Sequence, residues 1–295
     1  MLTVLGFNLS PILGQGMLGV VNGAFYALLS LGLSVTFGLL NIVNFAQGAL
    51  YMLGAVVAWV LLDSFGIGYW PSLILAPLIV GAFAVVLEKT IICRLYKLEH
   101  HYGLLLTFGV GLIIESLARN QWGSSGLPYA VPESLRGATQ LGFMIMPTYR
   151  LWVVVASFVI CIGTWLILEK TSLGATLRAA TENAALVQAF GVNVPRLVTL
   201  TFASGVALAA FAGVMAAPVY SVNPNMGSDV IIVVFAVVVI GGMGSILGSI
   251  LTGFGLGLLE GFTKYLYPQG SGMVVFVLMI VVLLVRPSGL FGKAA

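Results

Sequence analysis

The chain has 295 residues, of which 60% are hydrophobic and 7% charged, against roughly 45–50% and about 25% in an ordinary soluble domain. A soluble globular protein is excluded, because so few polar residues cannot cover so much apolar side chain at this size. The formal charge of +3, with twelve basic residues scattered rather than clustered, leaves no electrostatic footprint for nucleic acid.

A mean hydropathy of +1.12 with 37 glycines suits closely packed membrane helices. Lipid leaves only helices and closed barrels able to satisfy their backbone. Barrel strands would alternate polar and apolar residues, whereas Val230 to Ile240 and Met273 to Val285 are apolar on every face. The expected fold is therefore all-α: a polytopic transmembrane helix bundle, with residues 1–295 forming a single transmembrane domain.

In chain order, no Lys or Arg precedes Lys89, so the basic n-region of a cleavable signal peptide is absent and the first segment is expected to stay as a helix. A span needs about 20 apolar residues. Spans are predicted at residues 12–39, 45–62, 70–92, 102–118, 151–168 and 197–217, and a last one at 273–285. Region 229–266 is too long for one span and carries Gly241-Gly242-Met243-Gly244-Ser245 near its middle. Two helical pieces meeting at a break are expected there, making eight or nine crossings with discontinuous helices. Asp229 should open the first of these pieces, where its charge suits the helix dipole. Cys93 and Cys161 lack any CxxC or Cys/His pattern and read as small core residues.

Cytoplasmic loops carry the excess of Lys and Arg. With the segments around Arg94, 170–196 and 286–293 inside, eight basic residues lie inside (Lys89, Arg94, Lys97, Lys170, Arg178, Arg196, Arg286, Lys293) and four outside (Arg119, Arg136, Arg150, Lys264). The amino terminus and the long 119–150 loop then face out and the carboxy terminus faces the cytoplasm. Pro128, Pro132 and Pro147 make that loop an ordered cap or a flexible connection rather than a domain.

Asn41, Asn44 and Gln47 interrupt an apolar stretch with three amides, each costly in hydrocarbon unless it finds a partner or water. They read as a cavity lining or as a polar turn between two helices, and spacing alone does not choose. Asn22, Ser34 and Thr36 on the preceding helix could face the same cavity. Gly241, Gly242, Gly244 and Ser245 read equally as exposed backbone at a solute path or as a tight turn. Gly244, Gly248, Gly253, Gly257 and Gly261 lie four residues apart or nearly so, a pattern that favours close helix packing. Glu115 with Arg119 and Glu260 with Lys264 are acid-to-base pairs at i,i+4, which face each other and read as mutual neutralisation rather than a proton relay.

No P-loop occurs, so ATP cannot be hydrolysed at such a site on this chain. His100 and His101 are adjacent and point about 100 degrees apart on a helix; they read as part of a solvated cytoplasmic loop, not a metal site. No serine elbow, zinc motif or dinucleotide fingerprint is present. The chain reads as a non-enzyme with no cofactor or metal of its own.

Residues 172–191 read as one amphipathic cytoplasmic helix. Leu173, Leu177, Ala180, Ala184 and Val187 keep the helical period, Gly191 stops it and Pro195 opens the next helix. Helices that lie in headgroups are rich in Lys and Arg; this one has Arg178 balanced by Glu182, so docking into a partner is the better use.

The stretch from Arg178-Ala-Ala-Thr-Glu182-Asn through Gly191-Val-Asn193 into Phe202-Ala-Ser-Gly205 resembles the coupling region of branched-chain amino acid ABC-importer permeases of the LivH type. Gly38-Leu-Leu-Asn41-Ile-Val-Asn44-Phe-Ala-Gln47-Gly48 is similar to that family's first-half signature, and Gly241-Gly-Met-Gly244-Ser245-Ile-Leu-Gly248 to its second-half one. The likeness runs along nearly the whole chain. It implies a bacterial inner-membrane permease subunit for branched-chain or similar small amino acids, working with a second homologous permease, two cytoplasmic ATPases that use ATP, and a periplasmic substrate-binding protein. Related permeases carry urea or other small organic solutes. An ion-coupled secondary transporter would need membrane carboxylates that are scarce here, and a scaffold would leave the amides unexplained. The expected substrate path comprises Asn22, Asn41, Asn44, Gln47, Gly241, Gly242, Gly244 and Ser245; the expected ATPase contacts are Leu177, Arg178, Glu182, Ala184, Val187 and Gly191.

Overall fold

The computed structural model describes residues 3–4, 7–40, 44–97, 100–142 and 144–292. Among the described residues, eight helices are long and apolar enough to cross a membrane. In chain order the helices are α1 (Leu9–Leu40), α2 (Gln47–Phe65), α3 (Tyr69–Thr90), α4 (His100–Trp122), α5 (Thr148–Lys170), α6 (Ser172–Glu182), α7 (Ala184–Ala189), α8 (Val194–Tyr220), α9 (Ser228–Gly241), α10 (Ile246–Leu266) and α11 (Val274–Val285). Six of the expected spans and the two pieces of region 229–266 appear among them, the last expected span forms only the shorter apolar helix α11, and Asp229 lies in the first turn of α9. His100 and His101 begin α4 instead of lying in a loop, because the apolar run that follows carries the helix back to them.

Among the described residues, two short hairpins accompany the helices. Thr3–Val4 (β1) pairs with Phe7–Asn8 (β2), and Ala138–Gln140 (β3) with Ile145–Pro147 (β4). The second belongs to the 123–147 connection, which is an ordered cap. Leu127 and Val222 exchange backbone hydrogen bonds at 2.7 and 3.0 Å, and Arg119 donates to Asn225 Oδ1 at 2.6 Å while pairing with Glu115 at 2.9 Å.

The centre of the bundle is α1, packed on α8 and α10. Gly19, Gly23 and Ala27 of α1 meet Gly253, Gly257 and Gly261 of α10 backbone to backbone, leaving no room for a Cβ on the α10 glycines. Lipid supplies no hydrophobic drive between helices, so such contact provides the van der Waals packing that holds them together. Gly54 of α2 and Gly213 of α8 make a second seam of the same kind. By contrast α3, α4 and α5 present Ile74, Leu78, Leu105, Ile113, Val159 and Ile167 outward, as side chains in contact with lipid would be. Cys161 is buried, and Cys93 is half-buried with its thiol on the Lys89 carbonyl at 2.9 Å.

The helices place two distinct ends. One gathers the start of α1, the α4–α5 cap and the ends of α8 and α10; the other gathers the end of α1, α6, the α9–α10 break and residues 286–292.

Candidate functional site: a vestibule beside the α9–α10 break

Gly242 and Gly244 adopt left-handed backbone, φ +99 and +83, where a side chain would be strained. These two glycines stop α9 and turn the chain. Ser245 then caps α10, its Oγ accepting from Gly248 N at 3.1 Å. The carbonyls of Ile240 and Gly241 accept from Leu290 N at 2.8 Å and Phe291 N at 3.1 Å, so the end of the chain satisfies groups that a helix terminus leaves open. Of the two readings of this motif, the tight turn describes its backbone. Its side chains nevertheless border open space: Gly38, Glu169, Arg178, Thr181, Gly244 and Ser245 line a vestibule of about 1260 Å³. The charges on its wall are the Arg178–Glu169 pair at 3.3 Å, and Arg178 also donates to the Leu168 carbonyl at 2.8 Å. Apart from that pair its walls are mostly glycine, serine and apolar side chains.

The amides expected beside it lie elsewhere. Gln47 is 0% and Asn44 2% exposed. Gln47 Nε2 donates across to the Gly205 carbonyl of α8 at 3.0 Å; Asn44 donates to Gln47 Oε1 at 3.4 Å and accepts from Ala46 N at 3.1 Å. These contacts are those of a polar turn that ties α2 to α8 within one chain, and they correct the expectation that both side chains line an open path. Desolvated amides need fixed partners, and the packed helix seam supplies them. Asn41 lies outside the described residues. Asn22 is at the opposite end of the bundle, where Tyr220 donates to its Oδ1 at 2.6 Å, so it shares no cavity with Gly241–Ser245. Ser34 bonds Ser249, and Thr36 bonds its own helix at Leu33 O, 2.8 Å.

The 172–191 segment differs from one continuous helix. Asn183, in extended backbone, ends α6 and caps α7 by accepting from Leu186 N at 2.9 Å. The break turns the two halves of the expected apolar stripe different ways. Leu177 faces the bundle, lining a small cleft with Ser34 and Thr201. Val187 packs on Ala180 and Val194 within this chain. Val187 is thus covered within this chain, which corrects it as a docking contact, while Leu177 is half-buried at the cleft. Ala184 and Glu182 are exposed, and the apolar groups left open are Leu173, Leu186 at 55% and Phe190 at 80%. Gly191 does stop the helix, at φ +86, and Asn193 caps α8 by accepting from Arg196 N at 3.1 Å.

A further polar group is buried inside α3. Glu88, 3% exposed, accepts from Thr199 Oγ1 at 2.7 Å and so joins α3 to the foot of α8. An acid inside an apolar span next to Lys89 was the available signal. Glu260, paired with Lys264 as expected at 2.9 Å, also accepts from Tyr26 at 2.8 Å.

The family model for the branched-chain amino acid transport system permease component matches residues 17–283. The chain belongs to this family. It is 29% identical to the branched-chain amino acid permease BraD of Pseudomonas aeruginosa, covering 93% of this chain and 94% of that protein. It is 28% identical to LivH of Escherichia coli K12 over 93% and 94% of the two chains, and 27% identical to LivM of the same strain over 90% of this chain and 67% of that one. No solved structure matches. The chain is thus a polytopic helical permease, a transport subunit rather than an enzyme.

Proposed function

We propose that this permease is the membrane subunit of an ABC importer for branched-chain or similar small amino acids, in a bacterial inner membrane. The observation that carries the reading is the α6–α7 pair. It stands outside the spans with Leu173, Leu186 and Phe190 uncovered, yet has too few cations for a headgroup helix, so a protein groove is the fitting cover. Two cytoplasmic ATPases would supply the groove, a second permease of the LivM kind the other half of the path, and a periplasmic protein the solute. ATP would be used by the ATPases, since this chain carries no P-loop. Closure of the ATPase pair would pull α6–α7, and α6 reaches the vestibule through Arg178 and Thr181. Motion at the docked segment is thereby passed to the wall of the path, the differential contact that an allosteric change requires.

The test is uptake of leucine into proteoliposomes holding both permeases, the ATPases and the binding protein. Uptake should require ATP and all components. Phe190→Glu, which puts a charge where an apolar contact is expected, should lower uptake and stimulated ATP hydrolysis together by about tenfold or more. Uptake driven by an ion gradient through this chain alone would overturn the reading.

A further inference from the structure

At the end of the bundle away from the vestibule, a second cavity of about 250 Å³ opens between the start of α1, the start of α5 and the ends of α8 and α10. Gln15, Asn22, Arg150, Tyr220 and Lys264 supply its polar wall, and the glycine seam, through Gly19 and Gly261, supplies part of its lining without side chains. Its charges do not cancel. Lys264 is committed to Glu260 Oε1 at 2.9 Å, and Tyr26 donates to the other oxygen at 2.8 Å. Tyr220 is committed to Asn22 Oδ1 at 2.6 Å, which leaves the Asn22 NH₂ as a donor. Arg150 has no ion pair or hydrogen bond among the described residues, although it is half-buried. A guanidinium beside the Tyr220 hydroxyl, with no ion pair or hydrogen bond among the described residues, in a partly desolvated cavity already neutral in its other charges, calls for one singly charged oxyanion. Its planar fork matches a carboxylate in two parallel bonds.

We propose that this cavity receives the carboxylate of the zwitterionic solute at Arg150, with the Asn22 NH₂ as a second donor and the Gln15 carbonyl as acceptor for the ammonium. This rests on the amino acid reading above. It adds that the chain itself selects for a carboxylate, at the end opposite the ATPase-docking segment. A phospholipid phosphate is the other source of an oxyanion at this depth, and it lacks a free amino acid's adjacent ammonium and apolar side chain.

The test is protection of a thiol. In the purified four-subunit complex without binding protein, with Cys93 and Cys161 replaced by Ala, a cysteine at Val219 lines the cavity without touching its polar contacts. The rate of its labelling by a neutral maleimide is measured with leucine, with 4-methylpentanoate, with isopentylamine, and with a short-chain phosphatidylglycerol. Leucine and 4-methylpentanoate should slow labelling about fivefold or more, and isopentylamine should not. Arg150→Gln should abolish the protection and Arg150→Lys should restore part of it, the latter also showing that the site tolerates substitution. Slowing by the phospholipid alone, or equal slowing by amine and carboxylate, would overturn the proposal, as would no slowing by any probe. Protection by 4-methylpentanoate in a complex that imports no leucine would keep the carboxylate site and remove the amino acid reading. Leucine uptake without protection would do the reverse.

Discussion

Gln47 joins two helices with a single amide. Its donor reaches the Gly205 carbonyl of α8 and its acceptor takes the Asn44 amide, at a place where Gly32 and Gly205 bring α1 and α8 too close for a Cβ. Gln47→Leu would remove the bond and leave a buried carbonyl without it, at a cost of about 1–3 kcal/mol. The expected outcome is a lower unfolding temperature and a smaller folded fraction in detergent, measured by size-exclusion chromatography of heated samples. Loss of uptake with unchanged thermal stability would instead return Gln47 to the solute path. Residue types of this kind are visible in the sequence, and their cost in lipid is calculable. Their partners are not, because Gly205 is a carbonyl 158 positions away and nothing in local spacing announces it. The same holds for Arg150 and Asn22, which come together only when α1 and α5 pack. Glu260 and Lys264 needed only helical spacing, and that pair was legible.

Among elements, the α1–α10 seam and the α6–α7 break show what periodicity carries and what it loses. The four-residue glycine spacing on α10 announced close packing without naming the partner. Gly257 meets the backbone of Gly23 and Gly19, whereas Gly255, two residues away on the same helix, has open space. Gly257→Leu should therefore cost about 1–3 kcal/mol or more, since backbone cannot yield as a side chain can. Gly255→Leu should be tolerated and slightly favour the helix, by up to about 1 kcal/mol. Thermal stability of the two variants measures the difference, and equal loss in both would mean that α10 does not lie on α1 by this face. In the 172–191 segment the sequence carried the helical stripe, the glycine stop and the proline start. It did not reveal the break, because the apolar period runs on through Asn183 while the asparagine cap competes with it locally. One cap rotated half the stripe, and with it the choice of contacts, from Val187 to Leu186 and Phe190.

At the scale of the whole molecule, the order of helices ties the two ends to the two sides of a membrane. The eight long spans and the shorter α11 alternate in direction, and α11, with twelve residues, is about 18 Å long against about 30 Å of hydrocarbon. It finishes near the other helices of the vestibule end because residues 286–292 turn back onto the end of α9, at Ile240 and Gly241. The basic residues sort the same way. Arg178, Arg196 and Arg286 flank the vestibule end, while Arg119, Arg136 and Lys264 lie with the cap, and the prediction from the positive-inside rule is a cytoplasmic vestibule end. Single cysteines test this at exposed positions Ser124 and Ser134 of the cap, Thr181 of α6 and Ser288 beyond α11, in a chain with Cys93 and Cys161 replaced. A membrane-impermeant thiol reagent added to intact cells should label the first two and spare the last two, and permeabilised cells should label all four. Labelling of Thr181 from outside with protection of Ser124 would invert the protein and remove the ATPase as the partner of α6–α7. Labelling of Ser288 from outside with Thr181 spared would leave α11 short of a crossing and separate the carboxy-terminal segment from the α9–α10 turn it caps.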